Sequence, residues 1–147
     1  ILGLTSPSKG SVEYCKPNLQ VSYLGHKNAI KHYLTPIQNL ELIFGSSALQ
    51  NAMKWMNTLG LNNVQDELTA NLSFGQQKKL ALIRIFASES DLIVLDEPFV
   101  GLDNASRDLL NEFLQKKLAS DTSLILTSHI EPNILCSELV LSGDTDD

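Results

Sequence analysis

The chain has no block of lysine and arginine. Its only adjacent basic pairs are Lys78-Lys79 and Lys116-Lys117, and its formal net charge is -6 over 147 residues. Proteins that bind the phosphate backbone carry a basic patch, so the balance argues against nucleic acid as a partner. Both lysine pairs read as solvated helix faces. Long apolar runs are lacking too. A membrane-crossing helix needs ~20 such residues, and a run such as Leu92-Ile93-Val94-Leu95 is far shorter. Any work at a membrane would go through a partner. Cysteine is scarce: Cys15 and Cys136 lie far apart and match no metal-ligand spacing. They read as two reduced thiols of a cytosolic protein. No secretory signal is visible, nor any repeat or low-complexity stretch. The first residue is Ile rather than Met, which suggests a fragment or an incomplete reading frame.

The residues that are present suffice for one domain with a real core. An apolar share of 43% and a charged share of 19% fit a soluble globular chain. Ile1 to Leu4 reads as the end of a helix, and Pro7-Ser8-Lys9-Gly10 as a turn. Ser11 to Tyr14 reads as a short strand and Leu19 to Leu24 as a second. From Asn39 to Gly60 the pattern is helical, with Leu40, Ile43 and Phe44 on one face, then Ala52, Met56 and Leu59. Trp55 beside them reads as core. Leu92 to Leu95 ends in Asp-Glu-Pro and suits a strand buried on both faces. A helix follows through Leu110, Phe113, Leu114 and Leu118, with Asp103 as its N-cap. Leu124 to Leu126 reads as a second buried strand, followed by a short helix and a strand at 139–141. This alternation predicts an α/β fold with a parallel sheet. Ligands of such sheets bind at the carboxyl ends of the strands, where Asp96, Glu97 and His129 fall.

Three short patterns carry chemistry. Asp96, ending a buried strand, can hold Mg²⁺ through water, because that ion keeps much of its hydration shell. Glu97 beside it can polarise an attacking water or accept its proton. In Leu72-Ser73-Phe74-Gly75-Gln76-Gln77, Ser73 reads as an N-cap with Gln76 closing a capping box. Gly75 leaves the backbone open to close approach, and the free N–H groups of the helix start suit an anion. In Thr127-Ser128-His129, Ser128 and Glu131 form another possible capping box. It would place His129 in a first helical turn, whose dipole favours neutral imidazole. Each pattern alone is also an ordinary cap or strand end.

Together, in this order, they resemble the ATP-binding-cassette (ABC) family: Leu72 to Gln77, a basic amphipathic helix, Leu95 to Phe99, Gly101-Leu102-Asp103, then Ser128-His129. The resemblance covers almost the whole chain. It implies a P-loop NTPase-type parallel sheet, in two parts at 1–26 and 72–147, with a small helical subdomain inserted at 27–71. It also implies ATP and Mg²⁺ as cofactors and a head-to-tail homodimer of ATPase domains seated on transmembrane transporter subunits. Ser73, Gly75 and Gln76 match the signature motif, which meets the γ-phosphate held by the opposite subunit. Asp96 matches the Walker B carboxylate and Glu97 the catalytic glutamate. Asp103 matches the D-loop aspartate at the dimer seam, and His129 the switch histidine.

No Gly-Lys pair occurs in the chain, so the phosphate-binding form Gly-x-x-x-x-Gly-Lys-Ser/Thr is not among these residues. Gly3-Leu4, Pro7, Gly10 and Val12 resemble the family's segment just beyond that loop, which puts the lysine shortly before Ile1. These residues by themselves are therefore expected to bind ATP weakly or not at all. His26 stands where most members have the Q-loop glutamine. Tyr23-Leu24-Gly25-His26, Ile30-Lys31 and Leu34-Thr35 resemble the ATP-binding subunit of the cytochrome c maturation haem exporter, whereas Gly101-Leu102-Asp103 has the general family form. The resemblance places the protein peripherally on the cytoplasmic face of the inner (plasma) membrane, or on the matrix side of the mitochondrial inner membrane if it is organellar. Three alternatives stay open: the ATPase of another exporter, a non-catalytic docking module, and a DNA-acting ABC ATPase. The last needs a long coiled coil for which Leu24 to Ser73 has no room.

Overall fold

The strand Val21–Leu24 (β1), the strand Leu92–Asp96 (β2) and the strand Ser123–Thr127 (β3) form one parallel sheet in the order β1-β2-β3. The computed structural model describes residues 2–3, 5–14 and 16–140. The expected parallel α/β architecture is present. β2 takes the centre because its Leu-Ile-Val-Leu run can be covered on both sides: Leu92, Ile93 and Leu95 are buried. Its register sets Leu24 against Leu95 and Asp96 against Thr127, so the acidic strand end lies beside Thr127.

Among the described residues are three α-helices: Pro36–Thr58 (α1), Phe74–Phe86 (α2), which packs on β1, and Asn104–Leu118 (α3), which packs on β3. α1 starts earlier than expected because Thr35 and Gln38 form a reciprocal capping box with Pro36 just inside it. Gly45 interrupts α1 with φ 58° and ψ -166°, a conformation that glycine adopts without a Cβ penalty. Ile43 is 40% exposed, off the face shared by buried Leu40 and half-buried Phe44. Trp55 packs as expected, stacked on Phe86 at 4.6 Å between ring centres and edge-on to Phe113 at 5.9 Å. One apolar cluster runs from Leu40, Ala52 and Met56 of α1 through Leu82 and Ile85 of α2 to Ile93 and Leu95 of β2.

Several elements differ from the sequence expectation. Ser11 to Tyr14 is exposed and forms no strand. β3 is an edge strand with Ser123, Ile125 and Thr127 exposed, not a strand buried on both faces. No helix follows Ser128. Its hydroxyl is spent on Ile130, accepting the Ile130 N–H at 3.0 Å and donating to the Ile130 carbonyl at 2.6 Å. Pro132 also biases Glu131 away from helical angles. Leu139 and Val140 are exposed and carry no strand. Leu2 and Gly3 are not helical. Ile1, Leu4, Cys15 and Leu141 lie outside the described residues, and Cys136 is an exposed free thiol.

Candidate functional site

Parallel pairing of β2 and β3 puts Asp96, Glu97 and His129 together at the carboxyl edge of the sheet. Thr127 Oγ1 donates to Asp96 Oδ1 at 2.6 Å. The Glu97 N–H then points back at Thr127, 3.0 Å from its carbonyl and 3.3 Å from its hydroxyl. Glu97 has φ +47°, in the left-handed region that a non-glycine residue adopts only when its surroundings hold it there. The turn aims its carboxylate at the next loop. Oε2 accepts the His129 N–H at 3.2 Å, and Oε1 lies 3.5 Å from His129 Nε2. The Glu97 side chain is 18% exposed and that of His129 is 97% exposed. His129 belongs to a loop and not to the first helical turn expected of it.

Behind the carboxylates lies Lys78. Far from being solvated, it is 3% exposed. Burial lowers its pKa, and the negative charges of Asp96 and Glu97 oppose that effect. The signal was in the sequence: positions 78, 81, 82 and 85 share one face of α2, so this lysine sits on an apolar stripe. Thr127, which joins both carboxylate residues, is the other site residue that sequence reasoning passed over.

The signature segment forms the start of α2. Ser73 and Gln76 make the expected reciprocal box: Ser73 Oγ accepts the Gln76 N–H at 3.2 Å, and Gln76 Oε1 accepts the Ser73 N–H at 2.8 Å. Among the described residues the Ser73 hydroxyl donates to no acceptor, so its proton is available to a ligand. Gly75 does permit a close approach, to the carbonyl of Gly101; a Cβ there would lie 2.8 Å from that oxygen. Lys79 Nζ reaches Asp103 Oδ2 at 2.6 Å, so this lysine is paired rather than free. Asp103 Oδ1 caps α3 by accepting the Ser106 N–H at 2.8 Å. The Lys79 hydrogen bond, then those from Ser106, hold the Asp103 carboxyl down at about 2. The turn Phe99 to Asp103 is thus fastened to the signature helix. His26 is exposed, two residues past β1. Among the described residues, no hydrogen bond or ion pair joins His26 or Ser73 to the Asp96–Glu97–His129 group.

No cluster of three or more metal-ligating side chains exists among the described residues. Mg²⁺ needs no such cluster, being held by one or two carboxylates with waters and substrate phosphates. Asp96 suits that part, with Oδ1 occupied by Thr127 and Oδ2 making no hydrogen bond among the described residues.

The fold is thus a parallel α/β sheet with a carboxylate pair at the carboxyl end of its central strand, and the capped start of α2 is a separate feature. Residues 1–100 match the family model described as ABC transporter, and the chain belongs to that family. The cytochrome c biogenesis ATP-binding export protein CcmA of Idiomarina loihiensis is 35% identical, over 99% of this chain and 68% of its own length. CcmA of Rickettsia felis is 31% identical, over 95% of this chain and 75% of its own. Among solved structures, an ATP-binding subunit of an ABC transporter matches with a TM-score of 0.67 at 25% identity, over 76% of this chain and 49% of its own. A dimeric ATP-binding cassette in a post-hydrolysis state, bound to ADP and Pi, has the same fold, with a TM-score of 0.64 at 21% identity, over 76% of this chain and 53% of its own. The chain therefore spans about two thirds of the curated relatives it matches and about half of the solved structures.

Proposed function

We propose that the chain belongs to the ATP-hydrolysing subunit of an ABC transporter serving haem export or a related step of cytochrome c maturation. The observation that carries the ATPase part is the Glu97–His129 contact beside Asp96 at the carboxyl edge of the sheet. The haem-related part rests on the cytochrome c biogenesis proteins it resembles along nearly its whole length.

On this reading Glu97 orients the attacking water and takes its proton, and its strained backbone fixes the direction of the carboxylate. His129, on an exposed loop, donates one hydrogen bond to the terminal phosphate. The free Ser73 hydroxyl and the N–H groups at the start of α2 meet the γ-phosphate of ATP held by a second subunit. Asp96 holds Mg²⁺ through water; when bound, the ion neutralises charge on the phosphate oxygens. Gly75, Gln76 and Asp103 line the seam between subunits, and His26 lies toward the transmembrane partner. Residues 27–71 act as the helical subdomain and 1–26 with 72–147 as the α/β core. Among the described residues no helix is long and apolar enough to cross a membrane. The proposed place is peripheral, on the cytoplasmic face of the inner membrane or its organellar equivalent.

The test is complementation. The full-length protein is expressed in a bacterium lacking its own CcmA, and haem covalently attached to c-type cytochromes is measured. Restored attachment, lost again with Glu97→Gln, is the expected result. Full ATPase activity without restoration would point to another exporter. Restoration by the Glu97→Gln form would point to a docking module that does not hydrolyse ATP.

A further inference from the structure

We propose that Thr127 is a positioning residue for the carboxylate pair, a role that rests on the ATPase reading of Asp96 and Glu97. A threonine hydroxyl has one proton and two lone pairs. Here the proton goes to Asp96 Oδ1 at 2.6 Å, while the oxygen faces the Glu97 N–H at 3.3 Å. One hydroxyl therefore touches both consecutive acidic residues, from the neighbouring strand. The contact with Asp96 is short and made to a carboxylate, the stronger class of hydrogen bond.

Two consequences follow from this polarity. Asp96 has one oxygen fixed as an acceptor, and its carboxylate plane is set, with Oδ2 left over for the water shell of a divalent ion. Glu97 is held at φ +47° by two acceptors on one residue, the Thr127 carbonyl at 3.0 Å and its hydroxyl. Such backbone conformations persist only where the surroundings over-determine them. The same strand then leads within two residues to His129, whose N–H binds Glu97 Oε2. Thr127 thus ties the metal-facing carboxylate, the water-facing carboxylate and the phosphate-facing loop to one point of β3. Serine could make the same hydroxyl contacts. Valine keeps the branched shape and the strand preference but removes the hydroxyl.

The experiment compares wild type, Thr127→Val and Thr127→Ser in the full-length protein. The carboxyl ¹³C shift of Asp96 at fixed neutral pH and steady-state ATP turnover are the two readouts. The Val variant is expected to move the Asp96 signal and to lower kcat by about tenfold, the scale of one charge-assisted hydrogen bond, with KM for ATP little changed. The Ser variant is expected to restore both. An Asp96 signal unmoved by Thr127→Val, or a Ser variant no better than Val in either readout, would overturn the role. If the wild type itself shows no turnover, the ATPase reading fails, and the Asp96 signal alone still decides whether Thr127 holds the carboxylate.

Discussion

Lys78 occupies a position that a hydrophobic residue would fill without an electrostatic cost. It is 3% exposed, and burial lowers its pKa from the usual 10.5 while Asp96 and Glu97 oppose the shift. A lowered pKa in the folded state means that the unfolded chain binds more protons between the folded value and 10.5. Stability from this group is complete above pH 10.5 and is lost as pH falls through the folded pKa. Lys78→Met should remove that pH dependence, read as urea midpoints between neutral and alkaline pH. At neutral pH the variant should be unchanged or up to ~1 kcal/mol more stable, because a buried charge gives way to an apolar side chain and the half-buried carboxylates keep access to water. A clear loss of stability would mean that the charge attraction outweighs desolvation. Sequence alone put Asp96 and Glu97 at the end of a buried strand, where they lie, because a strand end is a local property. It misjudged Lys78 because pairwise reading of Lys78-Lys79 ignored helical spacing, which turns one lysine inward and the next toward Asp103. The helical turn expected at His129 had the opposite fault: it followed a local capping pattern that Pro132 and the Ser128–Ile130 contacts override.

At the scale of elements, α2 and the turn before α3 behave as a fastened pair. Helix propensity alone would make Gly75→Ala stabilising by about 1 kcal/mol. The structure reverses the sign, because the new Cβ would sit 2.8 Å from the rigid carbonyl of Gly101. A loss of about 1–3 kcal/mol is expected from such overpacking, measured by denaturant unfolding; a gain would show that the two loops part freely. The Lys79–Asp103 pair gives a second reading of the same joint. Asp103 has its pKa lowered to about 2 from 3.8, chiefly by Lys79 and then by Ser106. A lowered carboxyl contributes stability above its unfolded value and loses it as pH falls through the folded one. The window is therefore from about pH 4 down to pH 2. Asp103→Asn keeps a capping side chain but should flatten the acid dependence in that window. The effect should be small and reduced by salt, because the carboxylate is largely exposed. The caps at Ser73 and Asp103 were legible from sequence, since each is set by residues three apart. The break at Gly45 was not: a glycine in a helical pattern signals only that a turn is permitted.

For the whole molecule, the parallel sheet was readable from the Leu92 to Leu95 run and its alternation with helical spacing. Which strand lay at an edge was not, because Leu124-Ile125-Leu126 is as apolar as a central strand and only the pairing order exposes Ile125. The link between α1 and the helices α2 and α3 came from long-range packing, through Trp55 against Phe86 and Phe113. The central claim is that this architecture brings Glu97 to the position of a catalytic base in an ATPase of two subunits. The most direct test is ATP hydrolysis by the full-length protein and its Glu97→Gln variant, together with their size in the presence of ATP. Loss of a general base is expected to cut turnover by about 10²–10⁴-fold, with the variant held as an ATP-dependent dimer. Turnover at the wild-type rate in Glu97→Gln would contradict the claim.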